Sequence, residues 1–399
     1  MEPDINGVRR AFLLVGVADG TLLPFIPIYL LERGLNATAI GAVLAGMAAV
    51  WLFASLACGY VADRRFKPER ILLVGTLAAS AIGLALALAG DGVSLALVIL
   101  VLTLARSPLT LLDAIALRRL RNMSRTGYAR IRLLMSTGWT GSAILSGVAY
   151  HFFGLHLIPF LYAPLTAVVT LSVWRSVKPE VEVVAPETSD FLPGPVRLNG
   201  VPLAMLGFLV SALLLGVALA ATQNFVTLQI NVLGGGALLV GAAAAFQALT
   251  EIPTMGYTHI LTRHLSHRAL YAIGCAIYLV VFVAWAAISN PMIVALLKLA
   301  VGVGFALTYV ASVTIANELV PARLRATGQA LVKGTMFGLA PIVGAFGGGL
   351  IYQTAGARLM FLGSTLVIAA AAAIVMVAVP SGSAKLEQRL QPAEAPATP

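Results

Sequence analysis

Asp19, Arg106, Glu251 and Lys298 each stand inside a run of apolar residues long enough to cross a bilayer. A charge at that depth costs roughly 2.5–3.5 kcal/mol even on the lenient insertion scale, so each needs a partner or a water-filled cavity. Asp19 lies near the middle of its run, ahead of Gly20, Thr21, Pro24 and Pro27. It reads as a proton site, against the alternative of a buried acid capping a proline-induced break. Burial disfavours a carboxylate and a neighbouring guanidinium favours it, so an acid held between the two can load and release a proton. Arg106 is the expected partner if the first and fourth runs pack together. Asp113 follows Arg106 by seven residues, close to two helical turns, which predicts one shared helix face. Asp113 is then either a cavity group or a surface acid pairing with Arg118 or Arg119.

The second half of the chain supplies polar partners. Glu251 precedes Pro253, with Gln247 one turn earlier, and Gln223 and Asn224 interrupt another apolar run. Amides at that depth bond a polar solute or another helix. Lys298 and Lys333 read as side chains that snorkel to an interface. Gly59, Asp63, Arg64 and Lys67 close the second run with an acid and bases at a helix end. His259, His264 and His267 have neither metal nor catalytic spacing. Cys58 and Cys275 both fall in apolar runs, so no structural disulfide is expected. No nucleophile–base set, phosphate loop or cofactor fingerprint occurs, and no enzyme activity, cofactor or metal is expected.

The elements that must position these groups are membrane helices. Only 11% of the residues are charged and 59% are hydrophobic, whereas soluble domains carry about 25% charged residues. The apolar residues form continuous runs without alternation, which excludes a barrel. Twelve spans are predicted: 10–31, 38–62, 70–89, 93–117, 131–153, 157–174, 201–230, 235–259, 269–288, 291–316, 327–352 and 356–379. The net charge of +10 does not signal nucleic acid. Of the 26 Lys and Arg, only Arg33 and Arg358 occupy one set of turns, and Arg106, Lys298 and Lys333 lie within runs; the rest share the other side. That asymmetry places both termini in the cytoplasm. No cleaved signal peptide is read at Met-Glu-Pro-Asp, and the first span serves as its own insertion signal.

Residues 175–200 carry Pro179, Pro186, Pro193 and Pro195 among acids, which reads as a linker. The expected organisation is a six-helix bundle over 1–174, a cytoplasmic linker over 175–200, a second six-helix bundle over 201–379 and a disordered cytoplasmic tail over 380–399. The halves look like repeats. Phe25, Gly34 and Gly41 match Phe225, Gly234 and Gly241 at an offset of 200; Gly147, Tyr150 and Gly154 match Gly349, Tyr352 and Gly356 at 202. Parallel halves of this kind imply a site at the midplane between them.

With these features in place, the chain resembles the major facilitator superfamily of secondary transporters. The family's loop signature is Gly, three residues, Asp, a base, one residue, Gly and two bases; this chain has Gly59, Asp63, Arg64 and Lys67 but Phe66 and Pro68 where Gly and a base belong. Tyr128-Ala129-Arg130-Ile131-Arg132, then Ser136-Thr137-Gly138-Trp139, is similar to the fifth-span opening of the phenylpropionate permease, nucleoside and lactose proton symporters. Glu251-Ile252-Pro253 and Glu318 to Pro321 also resemble that subgroup. The resemblance implies an all-α membrane protein of twelve transmembrane helices in two pseudo-repeats, in the cell inner membrane, acting as a monomer. It implies proton-coupled symport of a sugar, nucleoside, aromatic acid or siderophore-like solute by alternating access. Asp19, Arg106 and Glu251 would couple protons; Asp113, in the place of the fourth-span acid that pairs with the second fifth-span arginine, would bind solute with Arg132, Gln223, Asn224 and Gln247; Gly59, Asp63, Arg64 and Lys67 would form the gating loop. Arg106 also sits where drug/proton antiporters carry an Arg, which leaves a proton-driven exporter as the alternative, although Leu109 and Thr110 replace that family's Gln-Gly.

Overall fold

The computed structural model describes residues 5–119, 125–177, 202–262, 264–320 and 324–380. The expected linker from 178 onward, the tail from 381, Arg121, Pro321 and the side chains of Tyr128, Arg130 and His259 lie outside the described residues. The first half contains α1 (Ile5–Leu22), α2 (Ile26–Glu32), α3 (Ala37–Arg64), α4 (Pro68–Ala85), α5 (Gly92–Arg106), α6 (Leu111–Arg119), α7 (Arg125–Phe153) and α8 (Ile158–Ser176). The second contains α9 (Leu203–Val232), α10 (Gly236–Leu261), α11 (His267–Ala287), α12 (Pro291–Leu296), α13 (Lys298–Glu318), α14 (Arg325–Lys333) and α15 (Ala340–Ala378).

Ten helical stretches among the described residues are long and apolar enough to cross a membrane. The difference from the twelve expected lies at two places. The stretch Thr327–Ala378 runs as one helix of 52 residues but holds Gly356 at φ 83°, ψ 167°, between the eleventh and twelfth expected spans. α7 has 29 residues, but the Ser136, Thr137, Gly138, Thr140, Gly141 and Ser142 that follow its basic opening leave it less apolar than the ten.

Several spans tighten or break beside a charge. The first bends through a 3-10 turn at Leu23–Phe25, where Pro24 and Pro27 withdraw backbone donors, one turn past Asp19. The fourth does so at Ser107–Thr110, directly after Arg106. The tenth tightens at Leu297, directly before Lys298. A π-helical turn at Gly334–Leu339 follows Lys333, which is exposed. Such irregular turns inside long helices are common at functional hinges. The break after Arg106 corrects the expected shared face. α5 ends there and α6 begins at Leu111, so Arg106 is 4% exposed while the Asp113 side chain is 39% exposed.

The repeat is structural. Gly34 and Gly234 both take positive φ, 85° and 90°, to turn the chain between spans, and Gly154 and Gly356 do so at 84° and 83°. Phe25 meets Tyr150 edge-on at 4.8 Å between ring centroids; their counterparts Phe225 and Tyr352 meet at 5.4 Å. Gly41 of α3 packs against Gly349 of α15, and their counterparts Gly241 of α10 and Gly147 of α7 pack against each other. At both crossings a Cβ would collide with backbone within about 3 Å. The backbone N–H of Ala37 also donates to Gln353 Oε1 at 3.0 Å. These contacts cross between the halves at the end opposite the basic turns. At the basic end, a Cβ on Gly59 or Gly334 would meet nothing within 4 Å.

Candidate functional site

A cavity of about 510 Å³ lies between the halves. α1 reaches it with Asp19, α7 with Arg132, Ser136 and Trp139, α9 with Gln223 and Asn224, α10 with Gln247 and Glu251, and α13 with Lys298. Close helix approach sets these positions. Gly16 and Gly20 of α1 leave no room for a Cβ against the Met135 carbonyl, the Trp139 carbonyl and Ser142 of α7. Asp19, between these two glycines, lines the same cavity as Met135 and Trp139. On the other side Gly302 of α13 abuts the Gln247 carbonyl, and Thr250 Oγ1 donates to the Leu299 carbonyl at 2.6 Å. That contact brings Gln247, Glu251 and Lys298 onto one wall.

Asp19 is 8% exposed and accepts from Arg106 Nη2, so its carboxylate does not cap the break after Leu22. Arg106 itself does not line the main cavity. It closes a small void behind Asp19, with Thr76, Tyr162 and Thr166. The arrangement is an acid with one face toward the cavity and the other on a buried cation.

Arg132 lines the cavity mouth and holds Asp113 through Nη1 at 3.1 and 3.2 Å. Asp113 is absent from the cavity wall. Its pair with Arg132 is the one that the fifth-span resemblance implies, and Arg118 bonds the buried Glu69. Gly59, Asp63, Arg64 and Lys67 sit at the basic end of α3, away from the cavity, where Arg64 donates to Tyr60 Oη at 2.8 Å. His267 Nδ1 and Glu318 Oε1 pair at 2.7 Å between α11 and the end of α13, also away from the cavity.

Lys298 does not snorkel. It is 4% exposed and donates to Gln223 Oε1. Its signal was the same as that of the others, a charge inside an apolar run, but its partner stands 75 residues earlier. Trp139 and Ser136 were visible only within the fifth-span motif.

The sequence matches the MFS_1 like family over residues 11–363. The maltose permease of Geobacillus stearothermophilus is 25% identical over 330 residues, 82% of each chain. A singly substituted form of the nucleoside transporter NupG superimposes with a TM-score of 0.83 at 17% identity, over 94% of this chain and 100% of that one. A bacterial homologue of the human lysosomal transporter Spinster, inward-facing and occupied, gives a TM-score of 0.70 at 14% identity over 98% of both chains. Its many spanning helices make the chain a multi-pass membrane protein. Matched over most of its length and folded like these carriers, it is a transporter, not an enzyme, and belongs to the MFS_1 like family.

Proposed function

We propose that this protein is a proton-coupled symporter of a small polar organic solute, of the sugar or nucleoside class. The observation that carries the proposal is the cavity itself. One chamber between the halves collects an acid backed by a buried cation, a second acid, three amides, a half-exposed Arg and an indole ring. Amides and charged groups offer polar solutes both donors and acceptors, and Trp139 offers an apolar face for a sugar or base ring. The maltose permease and the nucleoside transporter among its relatives support the same class.

In this account Asp19 carries the proton and Arg106 holds it in place, while Glu251 responds to charge on the opposite wall. Arg132, Gln223, Asn224 and Gln247 bind the solute. Asp113 acts through Arg132, orienting its guanidinium. Gly59, Asp63, Arg64 and Lys67 form the turn that gates the basic end. Two six-span halves, both termini in the cytoplasm, an inner-membrane location and a monomeric carrier complete the account. With the glycine crossings closing the end opposite the basic turns, this account reads the arrangement as the inward-facing state.

Ligand-induced stabilisation tests the proposal. The purified protein is melted with maltose, uridine, inosine, an aromatic acid and a lipophilic cation. A ligand at 100 times its Kd adds about 2.7 kcal/mol. Stabilisation by maltose or a nucleoside, lost in Gln247→Ala and Arg132→Ala, is the expected result. Stabilisation by the lipophilic cation alone overturns it in favour of an exporter.

A further inference from the structure

Arg106 carries several N–H donors into the membrane interior, and among the described residues Asp19 is its hydrogen-bond partner. Its Nε is buried with no acceptor. A second side chain on the same void is in the same condition. Tyr162 of α8 is fully buried, and its Oη makes no hydrogen bond. Arg106 and Tyr162 both line the small void behind Asp19, whose volume of about 10 Å³ leaves little room between its walls. The two side chains also interact electrostatically. Buried polar groups are almost always bonded, so two unpaired ones on one void call for an explanation.

The other hydroxyls of the void are engaged. Thr76 Oγ1 donates to the Leu73 carbonyl at 3.1 Å, and Thr166 Oγ1 donates to the Tyr162 and Ala163 carbonyls at 3.0 and 2.9 Å. The Tyr162 ring is fixed by α4, where a Cβ on Gly83 would stand 3.0 Å from its Cδ1 and 3.3 Å from its Cε1. Arg106 holds its guanidinium on a flexible stem, so the arginine is the partner that can move. The two states of Asp19 make different demands on it. An ionised Asp19 neutralises the guanidinium. A protonated Asp19 withdraws that charge, while the arginine keeps its own proton. A buried cation without a counter-charge is costly and gains from any further acceptor. On this void, the oxygen with no existing bond is Tyr162 Oη.

We propose that Tyr162 is a positioning residue in proton handling. When Asp19 is protonated, Tyr162 Oη accepts an N–H of Arg106 and keeps the cation on the void, away from the cavity. The inference rests on Asp19 being the proton carrier.

Two measurements on the full-length, detergent-purified protein test it, and neither needs a solute. The first is a cycle of melting temperatures at alkaline pH, with Asp19→Asn standing for the protonated acid. The loss on Tyr162→Phe is expected to be about twice as large or more in Asp19→Asn as in wild type, because the hydroxyl is engaged only there. Thr166→Val is expected to cost the same in both. Equal losses for Tyr162→Phe overturn the proposal, and so does coupling that appears at Thr166 in place of Tyr162.

The second measurement keeps Asp19 and serves even if the double variant does not fold. The infrared difference spectrum between alkaline and acid pH is expected to hold a protonated-carboxyl band lost in Asp19→Asn, and with it a tyrosine C–O band lost in Tyr162→Phe. The tyrosine band is also expected to vanish in Asp19→Asn. A carboxyl band without the tyrosine band overturns the role of Tyr162 and leaves that of Asp19 standing. If the carboxyl band itself is missing, Asp19 is not the proton carrier, and both readings fall.

Discussion

Arg106 is a guanidinium held at membrane depth, and Asp19 is the group that makes this tolerable. Breaking a buried pair by removing one partner costs about 3–5 kcal/mol, since the other charge is stranded, whereas removing both is far milder. Arg106→Leu is therefore expected to lower the unfolding temperature sharply, and the Asp19→Leu/Arg106→Leu double variant to recover much of the loss. A double variant destabilised by the sum of the losses of Arg106→Leu and Asp19→Leu would show that the two charges are not coupled. At this scale the sequence was partly legible. Asp19, Arg106, Glu251 and the amides were visible because polar groups inside apolar runs demand a reason. Asp113 was misplaced because a seven-residue spacing predicts a shared face only along an unbroken α-helix, and Pro108 tightens the backbone between the two residues. Lys298 was read as snorkelling because a long aliphatic stem inside an apolar run can carry its charge to an interface; only the tertiary contact with Gln223 reveals that it turns inward.

Helix pairs, not loops, shut the end opposite the basic turns. α3 meets α15 through Gly41 and Gly349, and α7 meets α10 through Gly147 and Gly241, with backbones too close for any side chain between them. An indole at Gly41 and Gly241 cannot be accommodated without parting both crossings. The Gly41→Trp/Gly241→Trp variant is expected to open that end. A cysteine at Gln353, in a background lacking Cys58 and Cys275, should then react with a membrane-impermeant maleimide about tenfold faster or more, as the population shifts. Unchanged labelling would mean that these contacts do not form the seal. Gly356 is a separate case, since its φ of 83° divides the last long helix. Gly356→Ala is expected to cost about 1–3 kcal/mol from its positive-φ, extended-ψ backbone alone, readable as a lower melting temperature. These elements were foreshadowed by the repeated Phe, Tyr and Gly positions. The sequence could not say which matched glycine would touch which, because the contacts cross between halves and not within them.

Across the whole molecule, the two halves meet along helix faces, and the cavity sits where five helices, α1, α7, α9, α10 and α13, converge. The union rests on helix–helix contact, as at the Gly41–Gly349 and Gly147–Gly241 crossings. A protein cut within residues 178–200 and expressed as two pieces is expected to assemble and transport; pieces that fail to co-purify would contradict the two-bundle organisation. Alternating access then amounts to exchanging the glycine crossings at one end for contacts around Gly59 at the other, with Asp19 exposed to each side in turn. The central claim is that Asp19 ties solute movement to the proton gradient. The most direct measurement is solute accumulation in proteoliposomes under an imposed pH gradient, beside counterflow exchange, for wild type and Asp19→Asn. Asparagine keeps the shape but cannot carry the proton, so uphill accumulation should vanish while exchange persists. An Asp19→Asn protein that still concentrates solute when the gradient is applied would contradict the account.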